Sequence, residues 1–314
     1  MNTPAFFLLS ALCFCPSTLA QSSDNVPFAD FNTWTSRSVR ESSIIGSRTR
    51  TLHSIGHNAS PWATSNVEAR VAGITKCSNT VFPDTLSPSN LCAKLCTILE
   101  KVNAISLIHM QVVASGSIFL GEMIQPITNT RNPHSKMDMG IPFTGRPSHL
   151  AFDYRLSVPS PNRMTFANGF SSHALSESDQ AEVLLILQQR WEDKNGNLHA
   201  LRVGTARQRF SSSTTWIHGY RIPILYGDIT QHPLYKPYMA LLNGTHAYYA
   251  RNSRHENVPV NEEGWASPNA IPTHIIIMAS SGCGTPYQGT IGMTLWIDNL
   301  TLIYSQNESS RPTQ

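Results

Sequence analysis

Seven of the chain's twenty acidic residues could take part in chemistry: Glu122, Asp153, Glu177, Asp179, Glu182, Glu262 and Glu263. Cleaving a glycosidic bond takes two carboxyl groups, one held protonated as general acid. They lie about 5–5.5 Å apart for retention and about 6.5–9.5 Å apart for inversion. On a strand, residues i and i+2 share a face roughly 7 Å apart, so Glu-x-Asp or Glu-x-Glu would meet that need. Glu177-Ser-Asp179 has the spacing but falls in a Ser-rich turn. Glu262 and Glu263 are adjacent and would point to opposite faces of a strand. Asp153 stands alone between Phe152 and Tyr154. If the chain is an enzyme, Asp153, Glu262 and Glu263 are the expected acids, but no pair has the right placement and no catalytic set is assigned.

Other chemistries find less support. The sequence has no Gly-x-Ser-x-Gly elbow, and Ser280-Ser-Gly-Cys283 runs into a turn. Twelve histidines are scattered without metal-ligand spacing. Sugar recognition needs only an aromatic ring against the apolar face of a pyranose, with polar groups on the hydroxyls. Trp216, Trp265, Tyr235, Tyr238, Tyr248 and Tyr249 lie in polar, Pro/Gly-rich segments that favour exposure, and Arg146 sits between Gly145 and Pro147. The expected ligand-binding set is Arg146, Trp216, Tyr248, Tyr249 and Trp265. Trp34 and Trp296 lie within strand patterns and read as core.

These residues need a scaffold. Short β-prone runs bounded by Gly and Pro recur along the chain, including 150–156, 181–188, 198–205, 215–224, 273–279 and 292–304. Such a series without internal repeats predicts an all-β antiparallel sandwich. One short helix is expected near 90–102, where Ser89 or Asn90 could cap a segment carrying Cys92 and Cys96 one turn apart. Removing a signal peptide would leave Cys77, Cys92, Cys96 and Cys283 as disulfide candidates in three combinations, with Cys77 expected to join one of the close pair. A zinc site is disfavoured because no second close Cys or His pair exists.

The apolar run at 5–15, followed by Thr18-Leu-Ala20, reads as a signal peptide cleaved after Ala20, although no Lys or Arg precedes it. Leu12 before Cys13 and Phe14 before Cys15 argue against lipidation. No later stretch is apolar for about 18 residues, so no transmembrane segment is expected. The chain is therefore read as exported: extracellular, periplasmic or at the cell surface. Its net charge of +3, with no basic run, argues against nucleic acid and polybasic membrane contacts. Sequons start at Asn58, Asn243, Asn299 and Asn307.

Four stretches together resemble the PCMD family of exported Bacteroidota-type proteins, named for carbohydrate metabolism. They are Asp30-Phe-Asn-Thr-Trp34; Ala114-Ser-Gly-Ser-Ile-Phe-Leu-Gly-Glu122; Gly140-Ile-Pro-Phe-Thr-Gly-Arg-Pro147 with Leu150-Ala-Phe-Asp-Tyr154; and Pro272-Thr-His-Ile-Ile-Ile-Met-Ala-Ser-Ser281 with Gly292-Met-Thr-Leu-Trp-Ile-Asp-Asn-Leu300. The resemblance spans 28–305, with a flexible N-terminus at 21–27 and a flexible tail at 306–314. It implies a jelly-roll sandwich like that of carbohydrate-binding modules and a glycan or oligosaccharide as partner. It also implies a structural calcium held by Asp30, Asn32 and Asp298, the one cofactor considered. The reading that follows is glycan binding without catalysis. A glycoside hydrolase or lyase on the same sandwich is the first alternative, and a structural or adhesion protein of the envelope the second.

Overall fold

The computed structural model describes residues 22–42, 47–71, 73–104, 108–128, 132–283 and 285–305. The chain folds as the expected all-β sandwich, with three 3-10 turns and no α-helix among the described residues. The segments read as signal peptide (1–20) and tail (306–314) lie outside these residues.

Two sheets make the sandwich. The smaller, of six strands, runs Ile217–Pro223, His149–Ser157, Thr294–Tyr304, Asn90–Cys96 and Val81–Ser87, with Ser22–Asn25 beside the far end of Thr294–Tyr304. The larger, of ten, has the main order Met137–Met139, Ser117–Met123, His274–Ser280, Ala181–Glu192, Leu198–Phe210, Asn257–Trp265 and Tyr248–Arg251. Its pairing is antiparallel except between Leu198–Phe210 and Asn257–Trp265, which run parallel because the chain crosses over through 211–256 before rejoining. That pair departs from the purely antiparallel expectation.

Alternation fixes which side chains fill the gap between the sheets. Leu150, Phe152, Tyr154 and Leu156 from one sheet meet Val183, Leu185, Leu187 and Ile277 from the other, joined by Leu295, Ile297, Ala93 and Leu95. Each such side chain stabilises the fold by about 1.5–3 kcal/mol on burial. A smaller apolar cluster around Phe119, Leu184, Ile186 and Ile276 lies on the opposite side of the larger sheet, under Leu242 and Tyr248. The outer side of that sheet is thereby covered by the chain's own segments.

Three expectations are corrected. The helix near 90–102 is two strands, Asn90–Cys96 and Ile98–Ala104. Residues four apart share a face in a helix and in a strand alike, so the Cys92/Cys96 spacing could not separate them; burial of Ala93 and Leu95 with Lys94 turned outward shows period two. The N-terminal stretch 21–27 contains a paired strand, Ser22–Asn25, in register with Thr301–Tyr304. Finally, Cys77, Cys92, Cys96 and Cys283 are free thiols. Cys77 packs with Val39 and Leu52, away from the Asn90–Cys96 strand, and burial pushes its thiol up to about 11 and that of Cys92 up to about 12.

Candidate functional site

In the His149–Ser157 strand the even-numbered residues fill the core, so Ala151, Asp153 and Arg155 turn to the outer face of the six-stranded sheet. Arg155 pairs in register with Trp296, and Trp296 with Lys94, which lines up three side chains across adjacent strands. The Arg155 guanidinium carbon lies 3.8 Å from the centre of the Trp296 ring and 5.8 Å from that of Trp216. The Lys94 ammonium lies 5.6 Å from the Trp296 ring. Trp216 in turn stacks beside His218, the planes 13° apart. The result is a row of two indoles and two cations crossing four strands, roughly 14 Å long at a strand spacing of about 4.8 Å.

Two carboxylates edge this row. Asp84 accepts a hydrogen bond from Trp296 Nε1 at 2.7 Å and lies 3.8 Å from Lys94. Burial alone would raise its carboxyl, but the bonds from Trp296 and the Thr85 N–H outweigh that and hold it below the usual value. Asp153 accepts bonds from the Gly219 N–H (2.6 Å) and Asn299 Nδ2 (2.9 Å), and lies 3.1 Å from His218 Nδ1. Again burial is outweighed, and Asp153 is held below the ordinary carboxylate range.

Asp153 is opposite Asp298 in the ladder, beside a register shift, and Asn299 follows with φ 51°. Asn299 Nδ2 also reaches Asp298 at 3.3 Å, so one amide bridges two carboxyl groups. Asp298 has no exposed surface, and burial pushes it up to about 6 against the bonds from the Asn299 N–H and Asn90. Ala151, Asp153, Gly219, Arg221, Asn299 and Thr301 line a cavity of about 370 Å³ beside the indole row. Asp153 reaches this cavity; Asp298 holds Asn299 in its left-handed conformation from beneath.

The calcium set does converge here, since Asp30 is near enough to raise the Asp298 carboxyl. A hard ion needs six to eight oxygens. Instead, Asp298 Oδ1 accepts the Asn299 N–H at 2.9 Å, Asn32 Oδ1 accepts the Leu91 N–H at 2.7 Å, and Asp30 Oδ2 accepts Asn32 Nδ2 at 3.3 Å. The first two donors are backbone amides and cannot be turned away. Among the described residues no three His, Cys, Asp or Glu side chains form a metal-holding group. The three side chains by themselves fall short of the six to eight oxygens the ion needs, and each already accepts an N–H. A micromolar site at millimolar calcium would add about 4 kcal/mol of stability; the expected result is a melting temperature unchanged between calcium and EDTA.

Of the other predicted site residues, Trp216 alone joins the row. Arg146 donates to the carbonyls of Ala270 and Pro268 and lies over Tyr226, clamping a loop. Tyr248 and Trp265 belong to the larger sheet; burial pushes the Tyr248 phenol up to about 12, and Trp265 lies over Arg202. Tyr249 accepts a bond from Asn132 at 2.7 Å. Glu262 is sealed against Arg202, and half-exposed Glu263 bonds His199 at 2.6 Å. Glu182 is paired with Arg207 and Arg209, Glu122 with Arg251, and buried Asp179 accepts three backbone N–H groups. Trp296, Arg155 and Asn299 were missed. For Trp296 the signal was present: Leu295 and Ile297 inward imply Trp296 outward.

The architecture is thus a β-sandwich whose smaller sheet presents a ringed and charged outer face. The chain belongs to the PCMD family, "Putative carbohydrate metabolism domain", which it matches over residues 30–217, more than half its length. Its role is accordingly carbohydrate-related. Among solved structures it is similar to one described as a putative glycoside hydrolase from Bacteroides thetaiotaomicron, at 16% identity and TM-score 0.45, covering 88% of this chain and 80% of that one. A second, described in the same words, from Bacteroides vulgatus, has 14% identity and TM-score 0.48, covering 87% of this chain and 96% of that one. No curated protein matches.

Proposed function

We propose that the protein binds glycan on the outer face of its six-stranded sheet. The observation carrying this is the alignment of Trp216 and Trp296 on either side of Arg155 next to a cavity lined by Asp153, Asn299 and Thr301. Rings on a rigid sheet lose little freedom on binding, and a sugar laid across the row would find Asp153, Asn299 and Thr301 lining the adjoining cavity. The reading places the protein outside the cytoplasm, on the strength of the segment at 1–20. No helix among the described residues is long and apolar enough to cross a membrane.

Glycan-array binding with the wild-type chain and with Trp216→Ala, Trp296→Ala and Trp265→Ala tests it. Each of the first two is expected to weaken binding about 30-fold, as for a central aromatic contact worth about 2 kcal/mol, with Trp265→Ala neutral. No glycan bound, or equal affinity in all variants, would sink the proposal.

A second reading is hydrolysis, favoured by one observation: Asp153 and Asp298 are neighbours whose carboxyls are pushed in opposite directions. That is the pattern of an acid–base pair. Against it, Asp298 has no exposed surface. Reducing-sugar release that disappears in Asp153→Asn would establish it over simple binding.

A further inference from the structure

We infer that this face selects acidic glycans and that the Arg155 guanidinium receives the carboxylate or sulfate of the sugar; the inference rests on the glycan-binding reading above. Among the described residues Arg155 makes no hydrogen bond or ion pair, and its guanidinium carbon lies 3.8 Å from the centre of the Trp296 ring and 5.8 Å from that of Trp216. Contact with the two rings leaves the N–H groups, which lie at the edge of the guanidinium, unused. Those edge donors match the paired oxygens of a carboxylate or sulfate, and little rotamer freedom remains to be lost when they bind.

Asp84 is close enough to feel the Arg155 charge, but both nearby acids have other partners. Asp84 is taken by Trp296 Nε1, the Thr85 N–H and Lys94, and Asp153 by Gly219, Asn299 and His218. Lys94, paired with Asp84, lies in the same row on the far side of Trp296. A guanidinium serving only as packing between two rings could be replaced by an apolar side chain; one serving as a fork could not.

Binding isotherms at physiological salt would use polygalacturonate, its carboxyl-reduced neutral counterpart, dextran sulfate, dextran and polyglutamate. Expected is at least one acidic polysaccharide bound about tenfold or more tightly than its neutral counterpart, with polyglutamate unbound. Preference for polygalacturonate identifies a uronate, and for dextran sulfate a sulfate ester. Arg155→Met should abolish the preference for the acidic polymer over its neutral counterpart, and Arg155→Lys, which keeps the charge without the fork, should recover only part of it. Equal binding of acidic and neutral polymers, a preference surviving Arg155→Met, or polyglutamate binding as well as the polysaccharides overturns the inference while glycan binding stands. Binding to no saccharide overturns both. Should Arg155→Met fail to fold, the wild-type preference and the lysine variant still decide.

Discussion

Glu262→Ala is expected to lower stability by about 3–5 kcal/mol, the range found when one partner of a buried ion pair is removed. Glu262 and Arg202 are each almost fully buried. Glu262 accepts Arg202 Nε at 2.6 Å, Gln188 Nε2 at 2.6 Å, the Leu242 N–H at 2.7 Å, and a further bond from Arg202 Nη2. Gln188 continues the chain to Arg190, which donates to the Met139 carbonyl. Deleting the carboxylate leaves a guanidinium in the interior with Thr205 and the Met239 carbonyl as its remaining hydrogen-bond acceptors, and frees the covering segment at Leu242. Urea denaturation of Glu262→Ala and of Arg202→Met/Glu262→Leu separates the causes. The single variant should lose most, and the double should recover much of the loss because no charge remains buried. A single-variant loss below about 1 kcal/mol would show that water reaches the pair.

The second large effect is a pH dependence at Asp298. Its folded-state value, about 6, exceeds the ordinary 3.8, so the protonated form is the one the fold prefers. Above pH 6 the folded chain carries the whole cost of a buried carboxylate, about 3 kcal/mol for that difference. As pH falls from about 6 to about 4 the folded chain takes up a proton that the unfolded chain does not yet bind, and this contribution makes the protein more stable. Asp153 and Asp30 face the same carboxyl and hold it up by repulsion. Asp84, Asp153 and Glu68, all held below their usual values, act in the opposite direction. Subtracting the stability of Asp298→Asn from that of wild type removes these common terms. The difference should move in favour of wild type by about 2 kcal/mol between pH 7 and pH 4.5. A flat difference would mean that Asp298 is solvated or pairs with a cation.

Much of the scaffold was legible because strand formation leaves a local mark. Phe152-Asp-Tyr154 and Thr273-His-Ile-Ile-Ile carry period-two or continuous β-branched patterns, and both are central strands. Where the mark is ambiguous the reading slipped: 90–102 has apolar residues at spacings that suit either a helix or a strand, and only pairing with Val81–Ser87 and Thr294–Tyr304 decides. The site was legible in parts. Asp153, Trp216, Asp30 and Asp298 were singled out as types capable of recognition or coordination, but only Asp30 and Asp298 were expected to meet. Arg155 and Asn299 carry no local signal, since an arginine in a strand and an asparagine after an aspartate are ordinary until their surroundings are known.

By itself, then, the order of residues determined the β class and the family, because alternation and motif are properties of a few consecutive positions. It also supplied the indoles. The packing of the two sheets decided which rings meet solvent, and the pairing of strands about 140 residues apart set Arg155 against Trp296. That juxtaposition depends on register and on a bulge between distant segments, where a shift of one residue in either strand would turn its member of the row into the core.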